Sequence, residues 1–209
     1  MRFRFLIWDF DGTLFDTYPA LVDAIGHALT DLGAQADHDL IARLLTKTMA
    51  HCTYILAEQA GLDLGELEAR IAHHRLAIPM EARPPFPGAV RVCAQFKAAG
   101  GTNYIYTHRD YASLRTFLDW QGVTALFDDF VTRDAGYPRK PSPLGFAALV
   151  EKHDLPPDAV LAIGDRDLDV IGAQRAGLKA CLFAAHSGDG VRPDFHIDNF
   201  DALADILEL

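Results

Sequence analysis

Residues 5–17 read FLIWDFDGTLFDT, an apolar run that ends on two aspartates, Asp9 and Asp11, with Phe10 between them. Asp-Gly between apolar runs is the strongest short hairpin signal, so Asp11-Gly12 taken alone predicts a β-hairpin. The residues that follow predict something else. Leu21, Ala24, Ile25, Ala28, Leu29 and Leu32 recur at the three-and-four spacing of a helix face. Pro19 stands at the start of this pattern, and Gly33 offers a C-terminal stop. The stretch therefore reads as strand, tight loop, helix. In parallel α/β proteins that junction lies at the carboxyl end of a strand, where ligands bind.

Further along, short apolar β-rich runs recur at residues 4–10, 102–108, 127–133, 159–165, 179–185 and, weakly, 194–198. Helical patterns separate the later ones, over residues 90–99, 111–121, 143–153 and 167–176, with Gly100-Gly101, Gly122 and Gly177 as stops. Strands alternating with helices of this length predict a parallel sheet with crossover helices. Residues 18–83 break the rhythm, because they carry helical patterns and no convincing strand. That is too much helix for one crossover. It predicts an α/β protein with a Rossmann-like three-layer core, residues 1–16 and 84–209, interrupted by an α-helical cap, residues 17–83. The chain rejoins the core at Pro84-Pro85-Phe86-Pro87-Gly88.

Half of the 209 residues are apolar, enough for one sizeable core or a core plus a small lobe. A net charge of −10 argues against nucleic acid, whose phosphates need a basic surface. It leaves room for a small anionic substrate in a locally positive site. The three cysteines, Cys52, Cys93 and Cys181, are widely spaced and form no C-x-x-C. They read as buried free thiols in a reducing compartment. No apolar run approaches the roughly 18 residues of a membrane span, and Asp9 cuts the first one too short for a signal peptide. The expectation is a cytoplasmic protein, monomeric or a homodimer.

Four features carry chemistry: Asp9 with Asp11, Thr107, Lys140, and the GDRDLD run that holds Asp165, Asp167 and Asp169. Each follows a predicted strand or lies in a loop on the same rim. Each also has a plain reading. A threonine at a strand end more often caps the next helix, and a lysine in a proline-rich loop is usually solvated. Asp-rich loops cap helices, a role open to Asp167. The D-x-D-x-D spacing also matches the start of a calcium loop, but that loop needs Gly and Glu where Val170 and Ala176 stand.

In combination and in this order, DFDGT, Thr107, Lys140 and GDRDLD resemble the four motifs of the haloacid dehalogenase superfamily of phosphohydrolases. The helical insert directly after the first motif resembles the phosphoglycolate-phosphatase-like branch. The resemblance implies a Mg²⁺-dependent phosphatase for a small phosphorylated metabolite, with phosphoglycolate as first candidate. Asp9 would be the nucleophile, passing through an aspartyl-phosphate. Asp11 would protonate the leaving alkoxide, then deprotonate the hydrolytic water, since the first step leaves it in the form that the second requires. Asp9, the Asp11 carbonyl and Asp165 would hold the metal, with Asp169 contributing directly or through water. Lys140 would steady Asp9 and the phosphoryl group. Thr107 would give a hydroxyl and its backbone N–H to the phosphate at a helix N-terminus, with His108 beside it on the substrate side. Charge explains the metal: two negative charges about 4 Å apart repel by roughly 4 kcal/mol at an effective dielectric near 20.

Two residues depart from the family pattern. His108 stands where many relatives have Asn, and Arg166 where a small Ser or Thr is common. Arg109 reads as a solvated helix-start residue rather than an anion contact. Among relatives, dehalogenases lack the second aspartate, so Asp11 favours phosphoryl chemistry. β-Phosphoglucomutases carry a cap histidine twelve residues after the nucleophile, a position held here by Leu21. Phosphonoacetaldehyde hydrolases use a cap lysine, and Lys47, the lone lysine of the insert, sits in an ill-matching context. A non-catalytic receiver domain also combines Asp, Thr and Lys on a parallel sheet. Its phospho-acceptor ends the third strand, however, and it has no inserted lobe.

Overall fold

The computed structural model describes residues 2–183 and 191–209. The chain divides into two compact units, Met1–Phe15 with Pro85–Leu209, and Asp16–Pro84.

The first unit is built on a six-stranded, all-parallel sheet: β1 (Phe5–Trp8), β2 (Thr102–Tyr106), β3 (Phe127–Val131), β4 (Val160–Gly164), β5 (Lys179–Phe183) and β6 (Phe195–Ile197). Every strand run expected from the sequence is present, including the weak last one. The final two residues of the 179–185 run lie outside the described residues. The order is β3-β2-β1-β4-β5-β6. β1 is a continuous apolar run because both of its faces are covered, as in parallel sheets generally. The hairpin reading of Asp11-Gly12 does not hold. Gly12 adopts φ 83°, and the chain turns through a tight loop in which its N–H donates to the Phe15 carbonyl at 2.9 Å.

Alternation along the strands builds the two outer layers. Ile7, Tyr104, Tyr106 and Ala162 point to one face, where they pack with Phe146 and Leu149 of α7 (Leu144–Lys152) and Val170 and Ala173 of α8 (Asp167–Arg175). Trp8, Asn103 and Phe183 face the other way. Trp8 and Phe183 pack on Phe200 of α9 (Phe200–Leu207), and the Asn103 side chain meets α5 (Ala89–Ala98). Asn103 is fully buried yet satisfied. It accepts from Trp8 Nε1 at 3.0 Å and donates to the Cys93 and Leu126 carbonyls at 3.0 and 3.2 Å. The order of the strands decides where chemistry can occur. The chain runs outward from β1 through β2 to β3, then returns to lay β4 on the other side of β1. The crevice between the carboxyl ends of β1 and β4 is thus a topological switch point, the usual ligand position in open α/β sheets.

The second unit is a four-helix lobe: α1 (Tyr18–Asp31), α2 (His38–Leu45), α3 (Met49–Ala60) and α4 (Leu64–Ala77). Its own core joins Ile25, Leu29, Ile41, Leu56, Leu67 and Ile71. Asp37, Thr48 and Asp63 cap the last three helices through side-chain bonds to backbone N–H groups. The Asp16 N–H donates to the Pro84 carbonyl at 2.9 Å, so the two ends of the insert are pinned to each other. The three cysteines are buried and free, and burial pushes the Cys52 thiol up to about 11 and Cys181 up to about 12. Among the described residues, no helix is long and apolar enough to cross a membrane.

Candidate active site

The central strands bring the sequence-remote motifs together. Trp8 of β1 is level with Ile105 of β2 and Ile163 of β4. Parallel strands lie about 4.8 Å apart, so the residues just past these three strand ends share a rim about 10 Å wide. Asp9 follows β1, Thr107 follows β2 and Asp165 follows β4. The Asp9 N–H donates to the Ile163 carbonyl at 2.8 Å, which fixes where its side chain begins.

Lys140, on the loop between β3 and α7, is the hub. It is 5 % exposed, and its Nζ donates to Asp9 Oδ1 at 2.8 Å, Asp169 Oδ1 at 2.7 Å and the Tyr106 carbonyl at 2.8 Å. The Tyr106 ring lies 4.6 Å beneath the ammonium. All three donors of Nζ are committed to protein oxygens. The far end of the site is tied to the first loop by Thr13, whose Oγ1 donates to Asp165 Oδ1 at 3.2 Å. Carboxylate oxygens of Asp9, Asp165 and Asp169 lie within 4.8 Å of one another.

Burial drives the Asp9 carboxyl above its ordinary range. Lys140 opposes that shift and the Asp169 charge adds to it. Burial works against the charge of Asp169 too, but Lys140 and Arg166 outweigh it and hold that carboxyl low. Burial penalises the Lys140 ammonium as well, yet Asp169 and Asp9 more than offset this and raise it. The local balance therefore leaves Asp9 short of positive charge. Asp9 Oδ2 is buried and, among the described residues, accepts no hydrogen bond. A buried acceptor oxygen amid three carboxylates fits a hard divalent cation, which takes oxygen ligands.

Several details differ from the sequence reading. The Thr107 N–H donates to the Val131 carbonyl at 2.9 Å, so it belongs to the sheet and not to a phosphate. The next helix, α6 (Tyr111–Trp120), is capped by Asp110, which leaves Thr107 outside the helix terminus. Thr107 Oγ1 accepts the Arg109 N–H at 3.1 Å. His108 Nε2 accepts the Lys140 backbone N–H at 3.0 Å, so this ring clasps the lysine loop. Its pKa falls to about 3, through burial first and then the charges of Lys140, Arg139 and Arg166. Arg166, not Asp167, stands at the N-cap of α8, and Asp169 Oδ2 accepts the Arg166 N–H at 3.2 Å.

Arg109 is not a solvated helix-start residue. Its side chain is 14 % exposed and grips Asp11 with two nitrogens, Nη2 on Oδ1 and Nε on Oδ2. It also donates to Ser113 Oγ at 2.9 Å and lies over the rings of Phe10 and Phe117. Arg166 is likewise drawn in, with guanidinium nitrogens about 4 Å from Asp9, Asp165 and Asp169, at 4.0, 3.9 and 4.0 Å. Gly164 is the position that sequence reasoning passed over. A Cβ there would lie 2.3 Å from Asp169 Cβ, so only glycine lets the acidic side chain fold back over the end of β4. Its place in GDRDLD was the available signal. Gly164→Ala is expected to lower stability by about 1–3 kcal/mol, as overpacking does, and to cut activity by displacing Asp169. Denaturant unfolding and turnover measured together check this.

Haloacid dehalogenase-like hydrolases match this chain over residues 6–183, and the chain belongs to that family. It is therefore an enzyme, a hydrolase. A phosphoglycolate phosphatase of Mesorhizobium japonicum is 27 % identical over 212 residues, covering 95 % of this chain and 92 % of the relative. Among solved structures, a "predicted phosphoglycolate phosphatase" of Haemophilus somnus superposes with a TM-score of 0.86 at 20 % identity, covering 99 % of each chain. A "putative beta-phosphoglucomutase" of Thermotoga maritima superposes with a TM-score of 0.82, also at 20 % identity over 99 % of each chain. At that identity the solved structures carry the fold alone.

Proposed function

We propose that the protein is a Mg²⁺-dependent phosphatase that hydrolyses a small phosphorylated metabolite through an aspartyl-phosphate on Asp9. The observation that carries this reading is the buried ammonium of Lys140 shared by Asp9 and Asp169 at the switch point. It is the charge arrangement that an anionic nucleophile needs before it meets an anionic substrate. Asp9, the Asp11 carbonyl, Asp165 and, directly or through water, Asp169 would hold the ion. When bound, it neutralises carboxylate and phosphate oxygens that otherwise repel.

In the first step an Asp9 oxygen bonds to phosphorus and the phosphorus–ester oxygen bond breaks. The departing oxygen takes a proton from the Asp11 carboxyl. In the second step Asp11 takes a proton from water, whose oxygen attacks phosphorus, and the bond to Asp9 breaks to release inorganic phosphate. Lys140 holds Asp9 in place through both steps, while the Thr107 hydroxyl meets the phosphate. His108 acts by positioning the lysine loop. Asp11 must exchange its Arg109 partner for the substrate oxygen before the first proton moves. The insert of residues 17–83 is proposed as a helical cap domain.

Phosphoglycolate is the first substrate to test, on the strength of the curated relatives. The phosphomutase reading is disfavoured by Leu21 at the position of the cap histidine. Phosphate release from phosphoglycolate and a panel of phosphorylated metabolites is expected to require Mg²⁺, to stop on chelation and to return when Mg²⁺ is restored. Absence of release from every ester overturns the proposal.

His108 also makes a pH prediction. Its folded pKa lies below the unfolded value near 6.5, so it stabilises the fold while neutral. That contribution is full above about pH 6.5 and is lost as pH falls toward 3. His108→Asn is expected to flatten the pH dependence of the melting temperature across that window. It is also expected to leave any rate limb between pH 5 and 8 in place, because His108 does not titrate there.

A further inference from the structure

Within the GDRDLD run the Arg166 guanidinium lies inside the acidic cluster. Arg166 Nη2 is 4.0 Å from Asp9 Oδ2, the buried oxygen that accepts no hydrogen bond among the described residues. Its Nε is 3.9 Å from Asp165 Oδ1 and 4.0 Å from Asp169 Oδ2. The side chain is 18 % exposed, and its backbone N–H is held by Asp169. These separations exceed hydrogen-bond length and are still strong Coulomb distances in a poorly solvated site.

We infer that Arg166 is a resident counter-charge of the metal site, a positioning residue that weakens the hold on the divalent ion and strengthens the hold on the phosphate. The inference rests on the metal-dependent reading above. The reason is a charge count. Asp9, Asp165 and Asp169 carry three negative charges against two positive ones on Lys140 and Arg166, a residual of −1. Without Arg166 the residual is −2, and an incoming divalent cation is attracted more strongly. Once the ion is bound, the same arginine leaves the site at +1 rather than neutral, which favours a phosphate dianion. Arg166 therefore acts with opposite sign on the two ligands. It also stabilises the metal-free protein, because part of the carboxylate repulsion is already balanced.

Opposite signs separate this role from a structural one, since a damaged loop would weaken both ligands together. The test is titration calorimetry of Mg²⁺, then of inorganic phosphate at saturating Mg²⁺, on wild type, Arg166→Ser and Arg166→Lys, with thermal melts in chelator. In Arg166→Ser, Mg²⁺ is expected to bind about tenfold more tightly and phosphate several-fold more weakly. Its chelated form is expected to melt lower, with a larger upward shift on adding Mg²⁺. Arg166→Lys, which keeps the charge, is expected to stay near wild type in both titrations. Unchanged or weaker Mg²⁺ binding in Arg166→Ser, or a parallel loss of both ligands, overturns the inference while wild type still binds Mg²⁺. Failure of wild type to bind Mg²⁺ at all, with no phosphate release, overturns the metal-dependent function instead.

Discussion

Asp9→Asn is expected to abolish turnover, by roughly 10⁴-fold or more, and to leave the fold at least as stable as wild type. The first half follows from the loss of the attacking oxygen, since removing a nucleophile disables the catalytic unit as a whole. The second half follows from the electrostatics. Burial raises the Asp9 carboxyl above its unfolded value, so its ionised form works against folding at neutral pH. An amide has the same shape and no charge, and Lys140 keeps Asp169 as a partner at 2.7 Å. Function and stability then move apart, as expected where a site stores electrostatic strain. The measurement is phosphate release alongside thermal melting. Substantial residual turnover would show a different nucleophile. A marked drop in melting temperature would show that Asp9 is a net structural partner of Lys140.

The second large effect is Lys140→Met. The substitution keeps a long apolar side chain and removes the ammonium that lies over the Tyr106 and Phe146 rings. Asp9 and Asp169, each 4 % exposed, are left facing one another without it. Breaking a buried ion pair from one side costs about 3–5 kcal/mol, because the remaining charge has no compensation. Loss of a preorganised electrostatic partner costs about 10²–10³ in rate. Both losses are expected here. The stability deficit should shrink as pH falls. Without the ammonium both carboxyls titrate higher in the folded protein than in the unfolded chain, and a group so raised destabilises less once protonated. Mg²⁺ should recover part of the stability, since it supplies the missing charge. Unfolding midpoints across pH, with and without Mg²⁺, check these statements. A variant as stable as wild type at neutral pH would remove the buried triad from its central place.

Much of the protein was legible in its sequence. Hydrophobic periodicity is a local property, so the strand-loop-helix reading of residues 5–17, the six strand runs and the helical insert needed no tertiary information. α9 was missed although Phe200, Leu203, Ala204 and Leu207 hold the helical spacing, because eight residues give the pattern little length to declare itself. Motif order pointed to Asp9, Thr107, Lys140 and Asp165 through family resemblance. Parallel topology explains how they converge, since each follows the carboxyl end of a strand or lies in a loop beside one.

Tertiary structure alone decided the partners. Lys140 meets Asp9 across 131 residues of chain, and Arg109 meets Asp11 across 98. Long charged side chains have many rotamers, and their choice among acceptors depends on which backbones the sheet places within reach. The same holds for the Thr107 N–H, taken by β3, and for the space over Gly164, taken by Asp169. Sequence determined which elements form and which residues reach the rim, because burial of apolar faces is read from spacing. Which charges balance one another there is a matter of distances between remote segments, and those exist only once the sheet has formed.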